Sequence, residues 1–421
     1  MGRFGNLQTR AEQVVARCRQ LARFSEDPTG TRRTFLSAPM RDCHREISGW
    51  LKASGADVTV DAAGNLRALY AGEHRSAPSL LIGSHLDTVP NAGAFDGVLG
   101  VLVGIALLEA LDGRHLPFGI EIVGFSEEEG VRFGVPFIGS RALVGRLDDN
   151  LLNQKDARGI SLRTAIKQFG LDPAELNRAK LDESTLAYLE FHIEQGPVLE
   201  SLNRPLGVVE AIVGQTRMEF TFLGRSNHAG TTPMQLRRDA LAGAAEWVVA
   251  VERVAQTTPG LIATVGRFEG KPGVTNVIAG EAKVTLDLRH KSDEIRAHAK
   301  EEIVKLANEI ATRRALMLRN DTHLDQHAVF MDPFLLAQVD LAVQAAGCEP
   351  YRMVSGAGHD TMILAEKVPA AMIFLRSPGG ISHDPAESVE AADVAKALEC
   401  GLFLLDQLTH SAEFQKRVCR A

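Results

Sequence analysis

Four short apolar runs in this chain each stop at a group of metal-type ligands, and that repetition limits the folds open to it. Leu80-Leu81-Ile82-Gly83-Ser84-His85-Leu86-Asp87 opens as a buried strand and runs on to Phe95-Asp96-Gly97. Residues 119–125 end at Ser126-Glu127-Glu128-Glu129-Gly130. Residues 186–191 end at His192-Ile193-Glu194-Gln195, and residues 370–375 run into Ser377 and on to His383. Open α/β sheets place their sites just past the carboxyl ends of their strands. His85 and Asp87 are two apart, so an extended backbone puts both on one face. One can bind a metal while its neighbour holds the imidazole from behind. The ligand set is then His85, Asp96, one Glu of the triplet, His192 and His383. It holds nitrogen and oxygen but no sulfur, which suits Zn²⁺ or Mn²⁺. Five ligands exceed one closed tetrahedral site with a water; they suffice for two ions sharing a carboxylate. A plainer reading makes Asp96 the N-cap of a helix from Gly97 and His85 a core histidine. The recurrence of the pattern favours the metal.

At 421 residues the chain is too long for one compact core, so two domains are expected. A net charge of −7 with interspersed signs argues against a nucleic-acid surface. No apolar run reaches the roughly 18–20 residues of a membrane span. Residues 1–24 read as an amphipathic helix rather than a signal peptide. The five cysteines are scattered, without a Cys-x-x-Cys, which points to reduced thiols and a cytoplasmic location.

Along the chain, helices are expected at 7–24 and 40–54, with the polar, basic loop 29–37 between them. That loop is either plain surface or the border of a pocket. Short strands at 58–60 and 66–70 precede the first ligand strand, and a helix at 98–111 follows it. Alternating strands and helices predict an α/β fold with a largely parallel sheet. After the third ligand strand the texture changes. Strand 216–223, helix 235–254, strands 261–268 and 281–289, helix 293–314 and strand 316–323 spell βαββαβ, the ferredoxin-like split motif. The expected division is a discontinuous catalytic domain, 1–212 and 330–421, with the inserted domain at 213–329. Helices at 333–346 and 391–408 belong to the returning segment. Three residues of the inserted domain stand out. His228 lies in a loop and Asn276 in a turn, and either can be ordinary surface. Arg289 shares a polar strand face with Lys283, Thr285 and Asp287. That face is either solvated or turned toward the metal cleft.

Together these segments resemble the amidase/carbamoylase branch of the dinuclear-metal M20 hydrolases. The resemblance rests on Gly83–Pro90, Phe95–Gly97, Glu127–Phe133, His192–Gly196, Asn227–Met234, Ser355–Asp360 and Gly380–His383, and it covers nearly the whole chain. It implies a metallopeptidase-like catalytic domain with an inserted ferredoxin-like lid and dimerisation domain, hence a homodimer. It implies two divalent ions, Zn²⁺ or Mn²⁺. His85 and His192 would hold one, Glu128 and His383 the other, and Asp96 would bridge them. It makes Glu127 the general base and places Asp87 behind His85. It assigns no role to Glu129 or His359. Gln195, His228, Asn276 and Arg289 match substrate-contacting positions, with His228 stabilising an oxyanion and Arg289 forking a carboxylate.

The implied reaction is hydrolysis of a ureido C–N bond in a small carboxylic acid. Arg33–Ser37 and Leu375–His383 are similar to allantoate amidohydrolases, which ranks allantoate first. N-carbamoyl-L-amino acid hydrolase and β-ureidopropionase are the alternatives. A non-catalytic scaffold would be expected to have lost the base or a ligand, and none is missing. A peptidase or N-deacylase is disfavoured by the Glu triplet and by His192, where peptidase relatives usually carry an acid.

Overall fold

Fourteen strands alternate with helices among the described residues, 6–419, of this computed structural model. The strands are β1 (Asp57–Val60), β2 (Leu66–Tyr70), β3 (Ser79–His85), β4 (Gly119–Phe125), β5 (Thr185–Ile193), β6 (Leu206–Ile212), β7 (Gly214–Leu223), β8 (Ile262–Thr264), β9 (Phe268–Lys271), β10 (Glu281–His290), β11 (Met317–Gln326), β12 (Val329–Phe330), β13 (Arg352–Ser355) and β14 (Ala370–Leu375). Three helices matter most below: α1 (Leu7–Leu21), α2 (Ala38–Ala53) and α3 (Val98–Leu111). The chain forms two compact units. One runs to Glu210 and resumes at Met331–Met353 and from Gly358; the other is Ala211–Phe330 with Val354–Ala357.

The first unit is built on a sheet of order β1-β2-β4-β3-β5-β14-β6. Its four central strands, β4-β3-β5-β14, are mutually parallel, and its flanks are antiparallel. Every residue of β3, β4, β5 and β14 is buried. Burial on both faces is why these strands read as continuous apolar runs rather than alternating ones. Helix α3 is apolar all round and almost wholly buried. A Cβ on its Gly100 would stand 2.0 Å from the Phe191 carbonyl oxygen, so only glycine allows this approach to β5.

The second unit has sheet order β11-β7-β10-β8, with β9 also on β10, all antiparallel. With helices Ala240–Thr257 and Asp293–Arg313 this is the ferredoxin-like arrangement. Phe220, Phe222, Trp247, Val284, Leu286 and Ile303 form its core. Strand β10 alternates as expected: Ala282, Val284, Leu286 and Leu288 are buried, and the residues between them are half-buried.

Some expectations fail locally. Helix α3 begins at Val98 with Gly97 as its N-cap and no side-chain cap, so Asp96 is not the capping residue. The single strand expected at 261–268 is two short strands, β8 and β9. The helix expected from Gln235 starts at Ala240, capped by Asp239. Strand β6 was not anticipated. The helix expected over 1–24 is described from Leu7 to Leu21, and residues 1–5 lie outside the described ones. All five cysteines are free thiols. No described helix is long and apolar enough to cross a membrane.

Candidate metal centre

Parallel strands of one sheet end on the same edge, and here four adjacent ends deliver the ligands. Strand β3 ends at His85, β4 leads into the Glu triplet, β5 carries His192, and β14 leads toward His383. Asp96 enters from the loop after β3. His192 Nε2 lies 3.2 Å from Asp96 Oδ1, and His85 Nε2 lies 3.7 Å from the same oxygen. His383 Nε2 lies 3.1 Å from Asp96 Oδ2. Three imidazoles thus converge on one carboxylate. His85 and His192 are buried, whereas the His383 side chain is 48% exposed.

Two groups of ligand atoms share Asp96: His85–Asp96–His192 and Asp96–Glu129–His383, each with its atoms within 4.8 Å. The triplet is grouped differently from the expectation. Glu129, expected to have no role, is the carboxylate grouped with Asp96 and His383, its oxygen 3.6 Å from His383 Nε2. Glu128, expected to pair with His383, groups instead with His85 and Glu129. Glu127, expected to be the base, is committed elsewhere. It accepts the Phe35 N–H on one oxygen (3.1 Å) and the Arg132 N–H on the other (2.9 Å). The reason is local. Beyond Phe125 the chain leaves strand geometry, and Asp87 fixes the turn by accepting the N–H groups of Glu128 (2.9 Å) and Glu129 (3.0 Å). Asp87 therefore holds the triplet, while His85 Nδ1 sits 2.9 Å from the Asp87 backbone oxygen and 3.7 Å from its carboxylate.

The electrostatics describe a cluster suited to cations. Burial pushes Asp96 up, but the neighbouring His383, His85 and His192 imidazoles outweigh that and hold it well below the usual range. Burial lowers His85, yet the nearby Asp96 carboxylate and the charge of Glu128 carry it well above 6.5. Burial lowers His192. Burial and the Asp96 charge push Glu129 up to about 7, and burial pushes Glu128 well above its usual value. Buried like charges of this kind settle when a cation lies among them. The fit has a direct sign: Asp96 Oδ1, with two imidazole nitrogens aimed at it, is buried without a hydrogen-bond partner among the described residues.

Gln195 lies at this site too. Its Nε2 donates to Asp96 Oδ2 at 3.0 Å, and its Oε1 is buried without a partner. Gln195 and His383 both hold positive φ, 59° and 58°, a conformation non-glycine residues adopt only under constraint. One contributor was missed by sequence reading, and His359, noted there without a role, also lies here. Glu387 accepts the N–H groups of Phe95 (2.8 Å) and Asp96 (3.0 Å), fixing the loop that presents the shared carboxylate. Its signal is its position four residues after His383. His359 packs edge-on against His192, ring centroids 4.5 Å apart.

The remaining expected residues belong to the second unit. His228 is exposed, and its Nδ1 accepts from the Gly230 N–H at 3.0 Å, so its Nε2 is the outward donor. Asn276 is exposed in the adjoining loop, its carbonyl taking the Ala229 N–H. Arg289 does not present the open fork expected of it. Its Nε and Nη2 donate to Asp287 at 2.7 and 2.8 Å, and Nη1 donates to the Gly356 carbonyl. Asp287 is shared with Arg217 (3.0 Å), so the cluster keeps one net positive charge.

A family model for the peptidase family M20/M25/M40 matches residues 81–407. An allantoate deiminase of Arabidopsis thaliana is 37% identical over 94% of this chain and 82% of its own length. An N-carbamoyl-L-amino acid amidohydrolase of Geobacillus stearothermophilus is 39% identical over 92% and 96%. The crystal structure of an amidase of the hydantoinase/carbamoylase family from Burkholderia multivorans superposes with a TM-score of 0.89 at 31% identity, covering 97% of this chain and 98% of that one.

Proposed function

We propose, from the premise that the chain belongs to the peptidase family M20/M25/M40, that it hydrolyses the ureido C–N bond of a small carboxylic acid, allantoate first. The observation that carries this is the convergence of three imidazoles on Asp96, with Oδ1 buried and unpartnered. His85, His192 and Asp96 would hold one divalent ion, and Asp96, Glu129 and His383 a second, Zn²⁺ or Mn²⁺ by donor type. Bound there, two such ions supply polarisation of the ureido carbonyl and acidification of water toward a pKa of ~7.

The chain's own groups do the rest. Glu128 is the general base. Its carboxylate faces the ligand cluster while Glu127 is tied to backbone, and burial raises its basicity. It takes a proton from the attacking water and passes it to the leaving nitrogen. Gln195 Oε1 is a buried acceptor without a donor, suited to a ureido N–H. His228 Nε2 is the donor we assign to the developing oxyanion, and Arg289 the partner of the substrate carboxylate, with Asn276 beside His228. Arg289 must share or exchange Asp287 to do so, which favours a negatively charged substrate over a neutral amide. We also propose a cytoplasmic homodimer that joins through the second unit.

N-carbamoyl-L-amino acids are the second reading, because a carbamoylase is as similar to this chain as an allantoate deiminase is. The loop Arg33–Ser37 carries less weight for allantoate than its resemblance implies. The Arg33 guanidinium is buried and donates to the Leu86 and Leu21 carbonyls, so the loop braces the scaffold. The test is ammonia release by metal-loaded protein from allantoate, N-carbamoyl-L-amino acids, N-carbamoyl-β-alanine and ureidoglycolate. Turnover of allantoate at least tenfold above the others supports the first reading, and preference for a carbamoyl amino acid supports the second. Turnover of none of them contradicts both.

A further inference from the structure

The first unit has a second concave site that the proposed chemistry does not use. A cavity of about 400 Å³ is lined by Glu26, Thr34, Leu36, Arg41, Arg132 and Arg158, with Pro39, Ala165 and Phe169 among the remaining walls. None of the metal-centre residues lines it. Three arginines and one carboxylate border it, and one oxygen of that carboxylate is occupied: Glu26 Oε2 accepts the N–H (2.9 Å) and hydroxyl (2.6 Å) of Thr34. Asp156, outside the lining, takes Arg132 Nε at 3.1 Å and lies 3.8 Å from Arg158 Nη2, so three arginines face two carboxylates and one positive charge is left over. Arg41 donates through Nη2 to the Phe169 carbonyl and lies 4.0 Å over the Phe169 ring, which orients its plane. Arg41 Nε and Nη1, and Arg132 Nη2, have no hydrogen-bond partner among the described residues. Ala38 and Pro39, the first two residues of α2, also border the space, adding the positive end of a sixteen-residue helix.

We propose that this cavity binds a small molecule bearing a carboxylate or phosphate group. The free guanidinium donors take the anion, and Leu36, Pro39, Ala165 and Phe169 take an apolar or flat body. Its occupancy reaches the metal centre by a short route. Arg132 Nη1 donates to the Phe35 carbonyl at 2.7 Å, and the backbone N–H groups of Phe35 and Arg132 together hold Glu127. The next two residues are Glu128 and Glu129, so drawing Arg132 toward a ligand shifts the turn that presents them. This inference does not rest on the choice of substrate above.

The test is calorimetric titration of the metal-loaded full chain with inorganic phosphate and, separately, succinate, beside Arg41→Ala and Arg158→Ala. Both arginines are exposed, so the variants should fold, which circular dichroism checks. Binding of either probe, weakened at least about tenfold in both variants and retained in His383→Ala, supports the site. Which probe binds tells phosphate from carboxylate chemistry. No binding of either probe, equal binding by the arginine variants, or binding lost in His383→Ala overturns it. Turnover is then read at saturating probe. A change in kcat in the wild type that is absent in Arg158→Ala supports the route through Arg132, and an unmoved kcat overturns that route.

Discussion

At the scale of single residues, three neighbouring glutamates have three environments, and each environment sets a distinct outcome. Glu129→Gln should lose about one of two bound ions, because it removes a ligand from the group shared with Asp96 and His383. Glu128→Gln should keep both ions but lose turnover by about 10²–10⁴-fold, the usual worth of a general base. Glu127→Ala should strip the partners from two buried N–H groups and cost about 1–3 kcal/mol for each in unfolding experiments. If Glu127→Ala alone abolished turnover in a protein of undiminished stability, the assignment of the base would be wrong. Sequence reading found the triplet but expected Glu127 as base and Glu128 as ligand, whereas the geometry groups Glu129 with Asp96 and His383 and ties Glu127 to backbone. Alternation orders side chains only within a strand, and β4 ends at Phe125. Two hydrogen bonds donated to Asp87, 41 and 42 residues back in the chain, set the orientation instead. Arg289 was placed on the right strand face, but its pairing with Asp287 depends on a neighbour that alternation cannot weigh. Arg289→Ala should lower kcat/KM at least about tenfold for a ureido acid and little for an amide lacking the carboxylate. Equal loss for both would make Arg289 structural.

At the scale of elements, the parallel strands were legible because burial on both faces leaves an unbroken apolar run. Strands β2, β4 and β14 and helix α3 fall on their expected bounds. Strand β6 was overlooked although Asn203 and Pro205 mark its start, because no ligand group follows it. The junction from Asp96 to α3 shows what a cap motif conceals: Asp96 turns to the histidines, and Gly97 takes the terminus at φ 66°. A Cβ there would stand 2.5 Å from the His85 ring. Gly97→Ala should therefore cost about 1–3 kcal/mol of stability and weaken metal affinity as well. Unchanged metal affinity in that variant would contradict the placement of His85. Helix α2 offers a test of pH dependence. Burial lowers His44 to about 4, so between that value and its ordinary 6.5 the unfolded chain takes up a proton that the folded chain refuses. Stability is complete above about pH 6.5 and falls as pH drops toward 4, by on the order of 3 kcal/mol in all. His44→Phe should flatten that part of the Tm-against-pH curve. A variant curve parallel to wild type from pH 7 to pH 4.5 would show that His44 does not carry it.

At the scale of the molecule, the chain forms two compact units. The first gathers the five candidate ligand side chains from loops and strand ends far apart in sequence, and the second carries His228, Asn276 and Arg289, whose part in the reaction is proposed above. The central claim is that one carboxylate, Asp96, makes two ion sites out of four strand ends. Its sidedness matters, because His85 and His192 are buried and His383 is half open to solvent. The ion on the His383 side should leave first on chelation. The most direct test is the number of ions bound per chain after metal loading and desalting, for wild type and for Asp96→Ala. The expected result is two for wild type and, because both sites lose the shared ligand, fewer than one for Asp96→Ala. A wild type that saturates with one ion, or an Asp96→Ala protein that still holds two, would contradict a shared dinuclear centre.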